Sequence, residues 1–154
     1  MIASHLAHIA DNLPPEWSEK VGAVLDYVEA QDTDDKVLGK GNRKDKEFLL
    51  LYHLGKGTLL IARDVEGTIA GIVTWYRLRS PWTWTQIERW RPDDADGKDI
   101  IIGHMLARDA ESRRCLLNSM SKRIPDAEEC RFFGFRHNKV VNYKPRHINR
   151  FFNN

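Results

Sequence analysis

The chain has 154 residues, of which 42% are hydrophobic and 30% charged, and its formal net charge is +2 at pH 7. These values are ordinary for a globular protein and predict one domain over residues 1–154. No apolar run approaches the roughly 18 residues of a membrane-spanning helix, and residues 1–17 lack the pattern of a secretory signal. The two cysteines are expected to be reduced thiols, so we expect a cytoplasmic protein without a membrane span.

The charge is distributed unevenly along the chain. Residues 1–35 hold eight acids and one base, a net charge of −7, whereas residues 131–154 hold six bases and no acid, a net charge of +6. Such asymmetry is typical of an interaction surface. It is equally compatible with an acidic N-terminal helix that packs near basic C-terminal strands and partly neutralises them.

Two helices are predicted within residues 1–56. Pro14-Pro15 opens the first, over Pro15–Ala30, because proline is well tolerated in the first turn of a helix. Its buried stripe recurs at helical spacing and comprises Trp17, Val21, Val24, Leu25 and Val28.

A polar loop is predicted over Gln31–Lys46, followed by a short, leucine-rich helix over Glu47–Leu54. Gly55-Lys56-Gly57 ends this helix before the strand signal begins. His53 lies inside the helix, and we expect it to be a partly buried structural residue.

The core over residues 57–154 begins with a hairpin. Thr58–Arg63 and Thr68–Leu78 are rich in residues that suit a half-buried strand, and the turn Asp64-Val65-Glu66-Gly67 joins them. A long connection, Ser80–Asp96, follows with a helical turn predicted over Thr85–Trp90. Long structured loops are often functional, and this one has an acidic set that suits either a cationic amine or a solvated loop: Glu88, Asp93, Asp94 and Asp96.

The remaining elements are a strand, a helix and a second hairpin. Asp99–Ala107 is the predicted strand and Ala110–Ile124 the helix, which Pro125-Asp126 ends. Cys130–Phe135 and Lys139–Lys144 then pair around Arg136-His137-Asn138. The order predicts an α/β (α+β) domain with one mixed, mainly antiparallel sheet flanked by helices.

Over Thr58–Phe135 this order resembles the GNAT superfamily of acyl-CoA-dependent acyltransferases. The hairpin LLIARDVEGTIAGIVTWY, the strand IIIGHMLA and the helix Glu111–Lys122 take the places of the family's elements. In that family, the start of the helix receives the pyrophosphate of the cofactor, because backbone N–H groups there attract an anion. The resemblance implies transfer of an acyl group from acyl-CoA, or from an acyl carrier protein, to an amine.

Two branches of that superfamily are nearest in pattern. Arg108-Asp109-Ala110-Glu111-Ser112-Arg113 stands where the family has its glycine-containing phosphate loop. Lys122-Arg123-Ile124-Pro125-Asp126 is similar to the helix ending of toxin-activating lysine acyltransferases, whose N-terminal histidine would correspond to His5 or His8. The basic tail after residue 131 is similar to small GNAT-like proteins of phages.

The resemblance implies the following site. His104 in the central strand would be the general base near neutral pH, and Asp109 and Glu88 are the acidic candidates. Gly103 would permit a strand bulge or close approach of a ligand. The acyl-CoA would contact Ile102, Met105 and Ala107 along the strand, with its phosphates near Arg108, Arg113 and Arg114.

No metal site is expected, because His5-x-x-His8 lacks a third ligand at a suitable spacing. His104 is equally compatible with a satisfied histidine under the sheet, and Asp109 with a helix cap.

The residues also leave a second class of function open. A non-catalytic GNAT-like module of a phage or mobile element would use the same scaffold to bind a protein partner or to oligomerise, and it would be associated with the virion if phage-encoded. The bases and aromatic residues of the tail are also compatible with single-stranded nucleic acid.

Overall fold

A computed structural model describes residues 15–31, 42–88, 92–136 and 139–143. Several features predicted from the sequence lie outside these residues: His5, His8, most of the loop before residue 42, Trp90, the turn at His137-Asn138 and the tail from residue 144.

The described helices are α1 (Pro15–Glu29), α2 (Arg43–Lys56), α3 (Trp84–Glu88) and α4 (Ala110–Arg123), with a 3-10 turn over Ala127–Glu129. The described strands are β1 (Leu59–Arg63), β2 (Ile69–Leu78), β3 (Asp99–Ala107), β4 (Arg131–Arg136) and β5 (Lys139–Tyr143). Each α-helix and each strand lies where the sequence predicts an element of its type, whereas the 3-10 turn over Ala127–Glu129 was not predicted.

Both predicted boundaries of the second helix are wrong, because α2 spans Arg43–Lys56 rather than Glu47–Leu54. The loop predicted over Gln31–Lys46 therefore ends four residues early. Asn42 supplies the start signal, since its side-chain oxygen accepts a hydrogen bond from the Asp45 N–H at 2.8 Å, as N-cap residues do. At the other end, Gly57 closes the helix with a φ of 75°, a conformation that favours glycine.

The five strands form one sheet in the order β1-β2-β3-β4-β5. The pairs β1–β2, β2–β3 and β4–β5 are antiparallel, whereas β3 and β4 are parallel, and α4 lies in the crossover that joins them. The mixed, mainly antiparallel sheet flanked by helices is confirmed.

Helices cover both faces of the sheet. Four of the five residues of the predicted stripe of α1 are confirmed, since Val21, Val24, Leu25 and Val28 are buried against leucines of α2 and against β1 and β2. The fifth, Trp17, is half-buried. This packing places α1 on the β1–β2 part of the sheet, so in the described residues it does not support the interpretation that α1 neutralises the basic strands. The other face packs against α4, with a core of Val73, Trp75, Ile100, Ile102, Leu116, Met120 and Phe132.

The sheet opens between β3 and β4. Among the described residues these parallel strands share three paired positions, which are Asp99↔Arg131, Ile100↔Phe132 and Ile101↔Phe133. Beyond them, Ile102–Ala107 of β3 remains paired with β2, while Gly134–Arg136 of β4 pairs with β5. We call the space between these two unpaired edges the β3–β4 opening.

A buried carboxylate fixes the closed end of the opening. Asp99 is buried and accepts hydrogen bonds from Arg131 Nε at 2.9 Å and Nη2 at 3.0 Å. Its Oδ2 also accepts from the indole N–H of Trp82 at 2.9 Å. Trp82 in turn meets the Phe133 ring edge-on, with centroids 5.1 Å apart. The long connection, β3 and β4 are thereby joined at one point.

A second ion cluster secures the end of α4. Arg77 of β2 donates to both oxygens of Asp126, at 2.6 and 3.0 Å, and Lys98 donates to the same carboxylate at 2.6 Å. The hydrogen bond from Arg77, followed by that from Lys98, holds the pKa of Asp126 far below its usual range. The Pro125-Asp126 stop predicted from the sequence is therefore also a tertiary anchor.

We expect Asp99→Asn to lower the free energy of unfolding by about 2 kcal/mol, because it weakens charge-assisted hydrogen bonds to a buried group. Urea denaturation of the purified chain measures this loss. Asp96→Asn is the matched control, since Asp96 forms an ion pair with Arg79 in which both side chains are exposed, and such pairs contribute little. Equal losses in the two variants would contradict the role given to Asp99.

Candidate functional site

A β-bulge interrupts β3 beside the opening. Thr74 of β2 is paired with His104, whereas the next residue, Trp75, is paired with Ile102. Gly103 is therefore the extra residue of the bulge. A Cβ at this position would lie 2.7 Å from Tyr76 Cε2, so the close approach of Tyr76 requires glycine. Of the two alternatives predicted at Gly103, the strand bulge is confirmed.

His104 is buried on the same side of the sheet as α2. Its side chain is 5% exposed, and its partner across β2–β3 is Thr74. Thr74 is itself paired with Leu59 of β1, a residue of the core beneath α1 and α2. Paired residues on adjacent strands have neighbouring side chains, so Thr74 and His104 lie side by side under α2.

His53 reaches this place from α2. It is fully buried, its Nδ1 lies 2.7 Å from Thr58 Oγ1, and its ring stands edge-on to Tyr76 with centroids 4.8 Å apart. Burial lowers the pKa of His53 well below its usual value, and the charges of Lys56 and His104 lower it further. His53 is therefore a neutral imidazole at neutral pH.

Two buried polar atoms in this cluster have no hydrogen-bond partner among the described residues. They are His53 Nε2 and Thr74 Oγ1. Burial of a polar atom without a partner costs about 1–3 kcal/mol, and such atoms are uncommon in folded proteins. We call His53, Thr58, Thr74, Tyr76 and His104 the buried polar cluster.

A lysine closes the cluster from the side of the long connection. Lys56 Nζ forms a 2.8 Å ion pair with Asp93 and lies over the rings of Tyr52 and Tyr76, 4.7 and 4.5 Å from their centroids. Burial lowers the pKa of Lys56, although Asp93 opposes the shift. Burial, with a smaller contribution from Asp93, raises the pKa of Tyr52 to about 12. Asp93, one of the acids predicted to suit a cationic amine, therefore binds the ammonium group of Lys56 in the same chain.

The residues predicted to hold the phosphates lie at the start of α4. Asp109 caps this helix, because its Oδ1 accepts from the Ser112 N–H at 2.8 Å. Arg108 donates to Asp64 at 3.0 Å and to Asp109 at 3.4 Å. The hydrogen bond to Asp64 contributes most to the raised pKa of Arg108. Both side chains therefore have ion-pair partners within the chain.

The other predicted site residues are dispersed. Arg113 and Arg114 are exposed on α4. Ile102, Met105 and Ala107 pack in the core beneath α4, so their backbone, rather than their side chains, borders the opening. Glu88 ends α3, but its side chain lies outside the described part of the structure. The structure thus brings His104 together with His53 and Thr74, and it places Asp109 in the helix cap.

Sequence reasoning missed His53, Thr58 and Thr74 as members of the site. The sequence predicts partial burial of His53, whereas this residue is fully buried. The available signal was a histidine inside the apolar run LLLYHL, five residues before a threonine. The contact of that histidine with Tyr76, by contrast, depends on how α2 packs on the sheet.

Comparison with known proteins adds no assignment to this geometry. No protein-family model matches the chain, and a search of the curated proteins finds no match. Within residues 15–31, 42–88, 92–136 and 139–143, no helix combines the length and apolar character that crossing a membrane requires. The same residues contain no group of three or more His, Cys, Asp or Glu side chains placed to hold a metal ion.

The buried neutral histidine predicts a loss of stability in acid. Because the folded-state pKa of His53 is lowered, the unfolded chain binds a proton below pH ~6.5 that the folded chain does not. The contribution of neutral His53 to the free energy of unfolding is therefore complete above that pH. Below that pH it falls by about 1.4 kcal/mol per pH unit. Urea denaturation between pH 7.5 and 5.5 measures the effect. His53→Asn should lose less stability over this interval, and an equal loss in both proteins would contradict the assignment.

The unpartnered hydroxyl predicts that Thr74→Val stabilises the protein. Valine has nearly the same shape as threonine and removes an oxygen that is buried without a partner among the described residues, so we expect a gain of about 1 kcal/mol. Thr74→Ser keeps the hydroxyl, loses a buried methyl group and should destabilise by about 1 kcal/mol. Thermal and urea unfolding of both variants test this, and a valine variant less stable than the wild type would contradict it.

Proposed function

We propose that this protein is a divergent GNAT-like acyltransferase that transfers an acyl group from a thioester donor to an amine. The observation that carries the proposal is the β3–β4 opening, in which parallel strands separate after Ile101↔Phe133. Within the part of the chain that the structure describes, the edge of Ile102–Ala107 that faces β4 has no paired strand, and it offers backbone groups that a ligand with its own amide bonds can pair with, as an added strand does. The acyl-pantetheine arm of coenzyme A or of a carrier protein has such amides.

The chemistry would take place at the bulge. His104 is buried beside Gly103, and in the proposed reaction it removes a proton from the acceptor amine. The amine nitrogen then attacks the thioester carbonyl carbon, the C–S bond breaks, and the thiolate leaves and is protonated. Backbone N–H groups at the bulge would stabilise the negative charge that develops on the carbonyl oxygen.

The start of α4 contributes less to donor binding than the resemblance implies. Asp109 already accepts from the N–H of Ser112, and Glu111 adds negative charge in the first turn, so both disfavour a pyrophosphate there. The exposed Arg113 and Arg114 are the remaining cations of α4 in the predicted phosphate set. We therefore propose that recognition depends mainly on the thioester arm.

The acidic start of α4 also favours a second candidate function, a non-catalytic GNAT-like module that binds a protein partner. The ion pairs of Arg108 with Asp64 and Asp109 are what a scaffold without a nucleotide ligand needs. Association with a phage particle and binding of nucleic acid by the tail belong to this alternative.

Titration calorimetry and thermal unfolding with acetyl-CoA and palmitoyl-CoA separate the two candidates. A donor present at a thousandfold excess over its dissociation constant stabilises the folded chain by roughly 4 kcal/mol. Release of free thiol, measured with and without a lysine-containing peptide as acceptor, reports turnover. We expect His104→Ala to bind the donor with affinity like that of the wild type and to lose about a hundredfold or more in turnover.

Val65→Ala is the matched control, because Val65 lies fully exposed in the β1–β2 turn and should behave like the wild type. If neither acyl-CoA binds, the scaffold alternative replaces the acyltransferase. If a donor binds and His104→Ala turns over normally, His104 is not the base.

A further inference from the structure

We infer that Lys56 is an internal acceptor, so that the protein acylates this lysine on its own chain. The inference rests on the proposed function, which supplies the thioester donor, and it names one amine that the donor would meet. It starts from the position of Lys56 Nζ, which a carboxylate and two aromatic rings hold at the edge of the buried polar cluster.

The end of α2 fixes the position of this lysine. Lys56 is the last residue of α2, and Gly57 ends the helix directly after it. Tyr52 lies one turn earlier, so its side chain and that of Lys56 share a face of the helix. Lys56 Nζ lies 4.7 Å from the ring centroid of Tyr52 and 4.5 Å from that of Tyr76, and it forms a 2.8 Å ion pair with Asp93. The amine is therefore held in one place between α2, β2 and the long connection.

This place adjoins the start of the β3–β4 opening. Tyr76 is paired with Ile101 of β3, and among the described residues Ile101 is the last residue of β3 that is paired with β4. A Cβ at Gly103 would lie 2.7 Å from Tyr76 Cε2, so the ring that lies under the lysine amine also contacts the bulge. One aromatic ring thus separates Lys56 Nζ from the backbone at which the thioester is proposed to react.

The surroundings of Lys56 favour the neutral, nucleophilic form of its amine. The side chain is 18% exposed, and burial lowers the pKa of Lys56, although the charge of Asp93 and its hydrogen bond oppose this shift. Lysines that are withdrawn from water attack carbonyl carbons more readily than solvated ones, because more of the amine is free of its proton at neutral pH. Lys56 therefore combines a fixed position with an amine suited to acyl transfer.

The proposed step balances without a further reactant. The ammonium group of Lys56 first gives one proton to solvent. The neutral nitrogen then attacks the thioester carbonyl carbon, so that a C–N bond forms and the C–S bond breaks. The nitrogen loses a second proton, which ends on the departing thiolate. The products are an amide on Lys56 and the free thiol of the donor, and the uncharged amide no longer forms the ion pair with Asp93.

Peptide mapping by mass spectrometry tests the inference on the full chain. The protein is incubated with acetyl-CoA and, separately, with palmitoyl-CoA, and the acylated fraction of each lysine is followed over time. Lys98 is the matched reference, because it also pairs with an aspartate, Asp126, but its side chain is 52% exposed and the hydrogen bond to Asp126 raises its pKa. We expect Lys56 to be acylated at least about tenfold faster than Lys98, since an amine held beside the bound donor gains from proximity. Equal rates, or faster acylation of Lys98, would overturn the inference.

Two variants and a dilution series test whether the acceptor is internal. Lys56→Arg keeps a positive charge for Asp93 but removes the amine, so acylation of the chain should fall to the rate of its exposed lysines, whereas Lys98→Arg should acylate Lys56 as the wild type does. At a fixed donor concentration, the rate constant for Lys56 should not change when the protein is diluted, because the step occurs within one chain. A rate constant that falls with dilution would indicate transfer between chains and overturn the internal acceptor.

Failure of this inference and failure of the proposed function give different results. If the protein transfers the acyl group to the lysine-containing peptide while Lys56 stays unmodified, the proposed function holds and the internal acceptor is overturned. If neither acyl-CoA binds and Lys56 reacts no faster than Lys98, both are overturned.

Discussion

The interaction on which the architecture most depends is the hydrogen-bonded contact of Asp99 with Arg131 and Trp82. β3 and β4 are parallel and share only three paired positions in the described structure, so little ladder hydrogen bonding holds them together. The buried carboxylate of Asp99 compensates at the point where the strands meet, and Trp82 brings the long connection to the same place.

The buried polar cluster is the second constraint, and it acts against stability. A core that buries His53, Thr74 and His104 under α2 leaves two polar atoms without partners among the described residues. An apolar core of the same shape would be more stable. Local features that cost free energy are concentrated at functional sites in many proteins. Here the cluster includes His104, which lies beside the bulge at Gly103, and this is why we propose that the reaction takes place there.

Much of the fold could be predicted from the sequence because its signals are local. The hairpin β1–β2 follows from alternation and an acidic-glycine turn, and the ends of α4 follow from Asp109 and Pro125-Asp126. Gly103 could be predicted as a bulge or a close approach because a glycine inside a strand is typical of these two features. The start of α2 was missed because the capping role of Asn42 is a weaker signal than the apolar run that follows it.

The site itself could be predicted only in part. His104 stands out as a histidine in an apolar strand, but its neighbours come from α2 and β2 and are set by tertiary packing. The ion pairs of Arg108 and Lys56 join residues 44 and 37 positions apart in the chain, so neither partner could be identified from spacing. The β3–β4 opening could not be predicted from local sequence either. Two parallel strands have the same pattern of apolar residues whether they stay paired along their length or separate.

The sequence separation of the Asp99–Arg131 contact has a consequence for how the chain reaches its native state. The β1–β2 hairpin closes a loop of a few residues, whereas Asp99 and Arg131 are 32 positions apart and are separated by the whole of α4. Closing a longer loop costs more chain entropy before any contact compensates for it. We therefore expect the antiparallel hairpin to be present early on the folding pathway and the junction of β3 with β4 to be completed last, after α4 has docked.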